Sequence, residues 1–263
     1  MLLKQELLDD EEGIDYKSMR DKCTVTLSDV IPDEQLAIGI LEDGNLLNLG
    51  TLGNFSIIKG QAKSKKTFLT SMIFACSVGG KCLNKFFTPM LNTRKNVFFD
   101  TEQSKGRVKK IAQRVNMLAD SVENLEFISL RAYSPKERLD FIEQYIETEK
   151  NLGLLIIDGA RDLLVDINSL EESNDVVTKF MKWTELHNIH ICTVIHENYG
   201  SAKARGHIGT ELANKAETVI AVMADSDDRD KSYVSAVHTR DRSFKEFSFS
   251  IDGYGLPSIN LDI

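Results

Sequence analysis

The chain is poor in the residues that build extracellular or linker-rich proteins. Its four cysteines, Cys23, Cys76, Cys82 and Cys192, form no CxxC pair and have no metal-ligand spacing with histidine. That pattern argues against a disulfide framework and a structural zinc site, and it fits a reducing compartment. Four prolines and sixteen glycines in 263 residues argue against domains strung on flexible linkers. Apolar runs such as residues 153–157 fall far short of the ~20 residues needed to cross a bilayer. Residues 1–12 end in an acidic cluster and hold no apolar signal core. The expectation is a cytoplasmic protein with no membrane partner. Positive charge is in deficit too, 32 Lys and Arg against 40 Asp and Glu, for a net charge of −8. Phosphates feel charge only within about 8 Å at physiological salt, however, so location outweighs the sum. Basic residues gather at 59–66, 94–95, 105–114 and 203–205, and a nucleic-acid partner is not excluded.

What is present is an ordinary globular mix, 42% hydrophobic and 27% charged. Short apolar runs at 55–58, 96–99, 125–130, 154–157 and 191–195 read as strands. Helical patterns separate them. Residues 67–78 are apolar, and Val108, Ile111, Ala112, Val115 and Leu118 recur at helical spacing. Ser134-Pro135 opens a helix with a cap and a first-turn proline, whose buried stripe is Leu139, Ile142, Tyr145 and Ile146. Val176, Val177, Phe180 and Met181 are expected inside the next helix. After residue 218, strands at 219–223, 233–237, 247–251 and near Ile259 succeed one another without helices. The pattern predicts an α/β fold: a mainly parallel sheet flanked by helices, with an antiparallel C-terminal extension. Residues 1–52, weakly periodic, are expected to wrap the core or contact a neighbour, and 53–263 to form the main domain.

The segment Gly60-Gln-Ala-Lys63-Ser64-Lys65-Lys66-Thr67 lies between an apolar strand and an apolar helix. Gly60, Lys66 and Thr67 match the phosphate-loop pattern GxxxxGK[ST], whose amides and helix N-terminus cradle phosphates. Lys65 stands where the pattern has its second glycine. A glycine before a lysine-rich turn also occurs in loops that bind nothing, so the strand–turn–helix context carries the assignment. In a phosphate loop Lys66 reaches the terminal phosphates, Thr67 binds magnesium, and Lys63, Ser64 and Lys65 complete the nucleotide contacts. Downstream, the apolar strand 154–157 runs into Asp158, which puts a carboxylate at the sheet edge where open α/β sheets bind ligands. With a phosphate loop upstream, Asp158 reads as a second magnesium ligand.

Val97-Phe-Phe-Asp100-Thr-Glu102 is another strand-to-acid junction, and here the chain resembles the RecA-like P-loop ATPases. The resemblance implies that Glu102 polarises the attacking water, with Asp100 the near alternative. His196, ending the run Ile191-Cys-Thr-Val-Ile195, is similar to the γ-phosphate sensor of hexameric helicases of the DnaB and plasmid RepA type. The glycine-rich basic stretch 200–209 resembles their mobile DNA loop, which makes Lys203, Arg205 and His207 candidate DNA contacts; Lys105 to Arg114 is the next candidate. Val237-His238-Thr-Arg240-Asp-Arg242 resembles the element that reaches a neighbour's γ-phosphate, with Arg240 the candidate finger and Arg242 the second. The resemblance spans about residues 53–250. It implies Mg2+ and ATP, a ring-forming homo-oligomer (a hexamer), single-stranded DNA as partner, and a RepA-type helicase of a mobile element. A recombinase-like or KaiC-like ATPase switch is the alternative, as is a non-catalytic subunit with a degenerate phosphate loop.

Overall fold

The structure, a computed structural model, describes residues 15–79, 81–82, 85–88, 91–119, 121–197 and 206–260. The chain divides into two units, Met1–Asp33 and Glu34–Ile263. In the first, Asp15 caps helix α1 (Tyr16–Cys23) by accepting from the Lys17 and Ser18 amides.

The second unit opens with a hairpin, β1 (Leu36–Glu42) and β2 (Asn45–Thr51). Its turn is Asp43-Gly44, both at positive φ (49° and 77°), as a tight hairpin turn requires. Ala37, Ile38, Ile40, Leu47 and Leu49 are buried in the same cluster as Ile58, Leu69 and Phe74. Residues 36–51 therefore contribute to the core of this unit. Two short strands, β4 (Lys81–Cys82) and β5 (Phe86–Phe87), complete a small sheet in the order β2-β1-β5-β4.

Among the described residues, the main sheet has nine strands. Six of them are parallel: β3 (Phe55–Gly60), β6 (Lys95–Asp100), β7 (Leu125–Ser129), β8 (Leu152–Asp158), β9 (His190–His196) and β10 (Thr218–Ala224), in the order β10-β3-β9-β8-β6-β7. β11 (Lys231–Thr239), β12 (Phe247–Ile251) and β13 (Pro257–Asn260) extend it antiparallel beyond β10. This is the expected architecture. Helices α2 (Lys66–Gly79) and α3 (Lys105–Leu118) pack on one face, while α4 (Pro135–Thr148), α5 (Leu170–His187) and α6 (Gly206–Lys215) pack on the other.

The strands read as continuous apolar runs because both faces are covered. Phe98, Leu154 and Ile156 point to the α2 side, and Val97, Phe99, Leu155 and Ile157 to the α4–α5 side, with the period of two that a strand imposes. α4 starts with the capping box expected from its sequence, Ser134 and Glu137 satisfying each other's backbone amides. One expectation fails. Met181 is half exposed, because the 3.6-residue period turns Val176, Val177, Phe180, Trp183 and Thr184 inward and carries Met181 round to solvent.

Candidate active site at the ends of four strands

Parallel pairing lines up the C-terminal ends of β3, β9, β8 and β6. Gly60 pairs with His196, Asp158 with Val194, and Asp100 with Asp158, so the strand ends form one row across the sheet. Connections there leave the sheet and carry polar side chains over its edge.

The phosphate loop leaves β3 at Gly60. A Cβ at this position would run into the Val222 carbonyl and crowd Ser64 Oγ, so only glycine lets β3 and β10 approach so closely. Lys63 and Lys65 both lie in the left-handed region, each at φ 68°. For Lys65 that is the backbone the usual glycine adopts; a side chain there costs about 1 kcal/mol. The loop then feeds straight into α2, whose N-terminal end is electropositive. Ser64 Oγ is buried and has no hydrogen-bond partner among the described residues. A loop with an orphaned hydroxyl and a helix N-terminus fits a polyphosphate acceptor.

The ammonium of Lys66 rests on the carbonyls of Gly60 and Gln61, 2.8 Å from each, and lies 3.3 Å from His196 Nδ1. On the other side of the ring, His196 Nε2 is 3.2 Å from Glu102 Oε2. Lys66 can only donate, so Nδ1 accepts and Nε2 carries the proton that it gives to Glu102. Thr67 Oγ1 donates to Asp158 Oδ2 at 3.0 Å. These are hard oxygen ligands of the kind magnesium takes, and the pair fits it. Lys66, Thr67, Glu102, Asp158 and His196 are thus brought together. They share an open pocket of about 270 Å³ with Lys63 and Lys65.

Glu102 is aimed by the buried Asp100. Asp100 Oδ1 accepts from the amides of Glu102 (3.1 Å) and Gln103 (2.6 Å), while Oδ2 accepts from Gln103 Nε2 at 3.1 Å. Asp100 is the brace of this turn, and Glu102 projects into the pocket. Thr101 Oγ1 links the next strand over, accepting from the Gly159 amide at 2.8 Å.

Charge states follow from these surroundings. The hydrogen bond from His196 holds the Glu102 carboxyl below the ordinary glutamate value, against the effect of burial. Burial pushes Asp158 up to about 7, with Asp100 adding to the shift and Thr67 opposing it. Burial also lowers the Lys66 ammonium, against the pull of Asp158 and Glu102. A bound divalent cation and a polyphosphate would relieve both penalties at once.

Three basic residues of α3 belong to the pocket as well. Arg107, Lys110 and Arg114 face the phosphate loop. Arg114 stacks on the Phe68 ring at 3.7 Å and donates to Ser71 Oγ at 3.2 Å. Their spacing, three and four residues apart just after Glu102, puts them on one helical face, and that signal was present in the sequence.

Other candidates lie elsewhere. Arg240 follows β11; its amide donates to the Glu217 carbonyl (2.9 Å) and its Nη1 to Asn54 Oδ1 (3.3 Å). Asn54 precedes β3 while Gly60 ends it, so Arg240 sits at the opposite edge of the sheet from its own phosphate loop. Arg242 is exposed on the same connection. Residues 206–209, expected in the basic loop, instead open α6 with Ile208 buried, and His207 is exposed there, its amide bonded to the Ile167 carbonyl. Lys203 and Arg205 lie outside the described residues.

A search of curated proteins finds no match. Among solved structures, the chain is similar to a KaiC-like protein from the hyperthermophilic archaeon Pyrococcus horikoshii, with 13% identity and a TM-score of 0.58 over 80% of this chain and 91% of that one. A likeness at this identity speaks for the fold. The sequence profile of the AAA domain matches residues 42–202, more than half of the chain and all the strand ends described above. The chain therefore has a RecA-like α/β fold and belongs to the AAA domain family.

Proposed function

We propose that the protein hydrolyses ATP with magnesium and uses the energy as a ring-forming motor on single-stranded DNA, as helicases of the RepA and DnaB type do. The observation that carries the hydrolytic part is the chain of contacts Lys66–His196–Glu102 beside the Thr67–Asp158 pair. Thr67 and Asp158 would hold magnesium, which when bound offsets charge on the phosphate oxygens. Lys66 supplies a buried positive charge where negative charge develops. Glu102, kept ionised by His196, orients a water and accepts its proton. His196 touches both Lys66 and Glu102, so it is placed to couple phosphate occupancy to the strand β9 and the segment that follows it. A degenerate, non-catalytic site has no chemical need for Glu102 and its Asp100 brace, which weighs against a purely binding subunit.

The DNA half of the proposal rests on the basic, glycine-rich stretch 200–209 following His196. A KaiC-like switch is the second reading, favoured by the similarity to the archaeal KaiC-like structure. One experiment separates them: ATP turnover measured with and without single-stranded DNA. Stimulation by DNA supports the motor. Robust turnover indifferent to DNA supports the switch, and absence of turnover with magnesium and ATP refutes hydrolysis.

A further inference from the structure

The phosphate loop departs from its pattern at Lys65, and the side chain that replaces the glycine has a specific destination. Lys65 Nζ donates to the Lys231 carbonyl at 3.2 Å and to Ser232 Oγ at 3.4 Å. Both acceptors are the opening residues of β11. Ser232, fully buried, in turn donates its hydroxyl to the Ser64 carbonyl at 3.2 Å. Ammonium, hydroxyl and loop carbonyl thus close a ring of hydrogen bonds that joins the crest of the phosphate loop to β11. Among the described residues no carboxylate lies within ion-pair distance of Lys65, so the ammonium is held by neutral acceptors alone. A glycine would supply the same left-handed backbone but neither of these bonds.

We propose that Lys65 is a positioning residue: it staples the phosphate loop to the first residues of β11 and holds the loop in its phosphate-receiving shape. The staple does for this loop what tight glycine packing does in the usual pattern. It also makes the start of β11 part of the nucleotide site, although no residue of β11 lines the pocket. The nucleotide aspect rests on the ATPase reading above; the staple itself exists in the free protein and is tested there.

The variants are Lys65→Gly, Lys65→Met, Lys65→Arg, Ser232→Ala and the pair Lys65→Met with Ser232→Ala. Amide hydrogen exchange on the nucleotide-free protein is the first readout. Lys65→Met should speed exchange in both residues 61–66 and residues 231–235 by about tenfold, the loss of the two hydrogen bonds Lys65 donates, and Lys65→Gly should do the same. Lys65→Arg should retain protection. The second readout is titration with a fluorescent ATP analogue alongside turnover. Lys65→Met and Ser232→Ala should each weaken binding several-fold with kcat little changed, and the double variant should be no worse than the single ones. Three results overturn the proposal: exchange at 231–235 unmoved by Lys65→Met, additive losses in the double variant, or a Lys65→Met defect in binding with Ser232→Ala neutral, which would make Lys65 a phosphate ligand only. If the unaltered protein binds no nucleotide while the exchange result holds, the ATPase reading fails and the staple stands.

Discussion

Replacing Glu102 by glutamine tests the centre of the mechanism with little disturbance of shape. The carboxylate accepts from His196 Nε2 at 3.2 Å, and a glutamine oxygen can accept the same bond. The turn beneath is held by backbone amides on Asp100, which the substitution leaves in place. More than half of the Glu102 side chain is open to the pocket, so swapping an oxygen for an amide buries no unpaired group. Nucleotide affinity should therefore stay within a few-fold. What is lost is basicity, and general-base assistance is worth ~10²- to 10⁴-fold. That is about 3–5 kcal/mol of transition-state stabilisation at 1.36 kcal/mol per tenfold. The assay is steady-state phosphate release beside direct nucleotide titration on the same preparation. Asp100→Asn is the control: its oxygen still receives both amides, and Gln103 need only rotate its own amide to face the new NH2 group. That variant should keep turnover within about tenfold, as expected for a brace rather than a base. If Glu102→Gln hydrolyses at the unaltered rate while a folded Asp100→Asn is dead, the roles are reversed and the reasoning is refuted.

Lys66→Ala should bind ATP weakly and lose turnover by orders of magnitude with its thermal midpoint retained; full activity in the folded variant would remove the phosphate-loop assignment. His196→Ala should move the acidic limb of the pH–rate profile to higher pH, because Glu102 must be ionised to act and the His196 bond is what lowers its pKa; an unmoved limb would show that the limb belongs to another group. Lys203→Ala with Arg205→Ala should flatten the salt dependence of single-stranded DNA binding by roughly 0.7 log units per lost phosphate contact; an unchanged slope would turn attention to Lys105 and Lys109. Arg240→Ala should lower turnover by ~10³-fold without altering nucleotide binding to a single chain, and mixing it with Lys66→Ala protein should restore part of the activity. No recovery despite demonstrated subunit exchange would count against Arg240 serving a neighbour.

Most of the parallel core was legible in the sequence because strands buried on both faces announce themselves as unbroken apolar runs, as 154–157 does before Asp158. Asp100, Asp158 and His196 are legible from the same runs, since each is the first polar residue after an apolar run, and Glu102 lies two residues beyond Asp100. The hairpin of residues 36–51 is hard to read from local periodicity although Asp43-Gly44 is a strong turn signal. Its strands carry glycine and asparagine among their apolar residues, at Gly39, Asn48 and Gly50, and Gly50 is small because the His190 ring lies against it. That reason is tertiary and leaves no trace in local periodicity. The destination of Lys65 was hidden in the same way, because its acceptors on β11 lie far along the chain.

Strand polarity decides what a single chain can do. Parallel strands deliver Gly60, Asp100, Asp158 and His196 to one edge of the sheet, whereas β11 runs back the other way and carries Arg240 to the opposite edge. The six residues of β3 alone put ~20 Å between Asn54, which Arg240 touches, and the phosphate loop. An arginine so placed cannot serve its own site by rotating a side chain. On the proposed reading it meets a phosphate on another copy, and then the two surfaces in contact are different ones, the loop edge of one chain and the Arg240 edge of the next. Contacts between unlike surfaces leave both ends free to repeat, so they propagate and either close into a ring or run on as a filament. On the proposed reading every chain both supplies an arginine and receives one, and β11 ties the two edges together, opening at the Lys65 staple and ending beside Arg240.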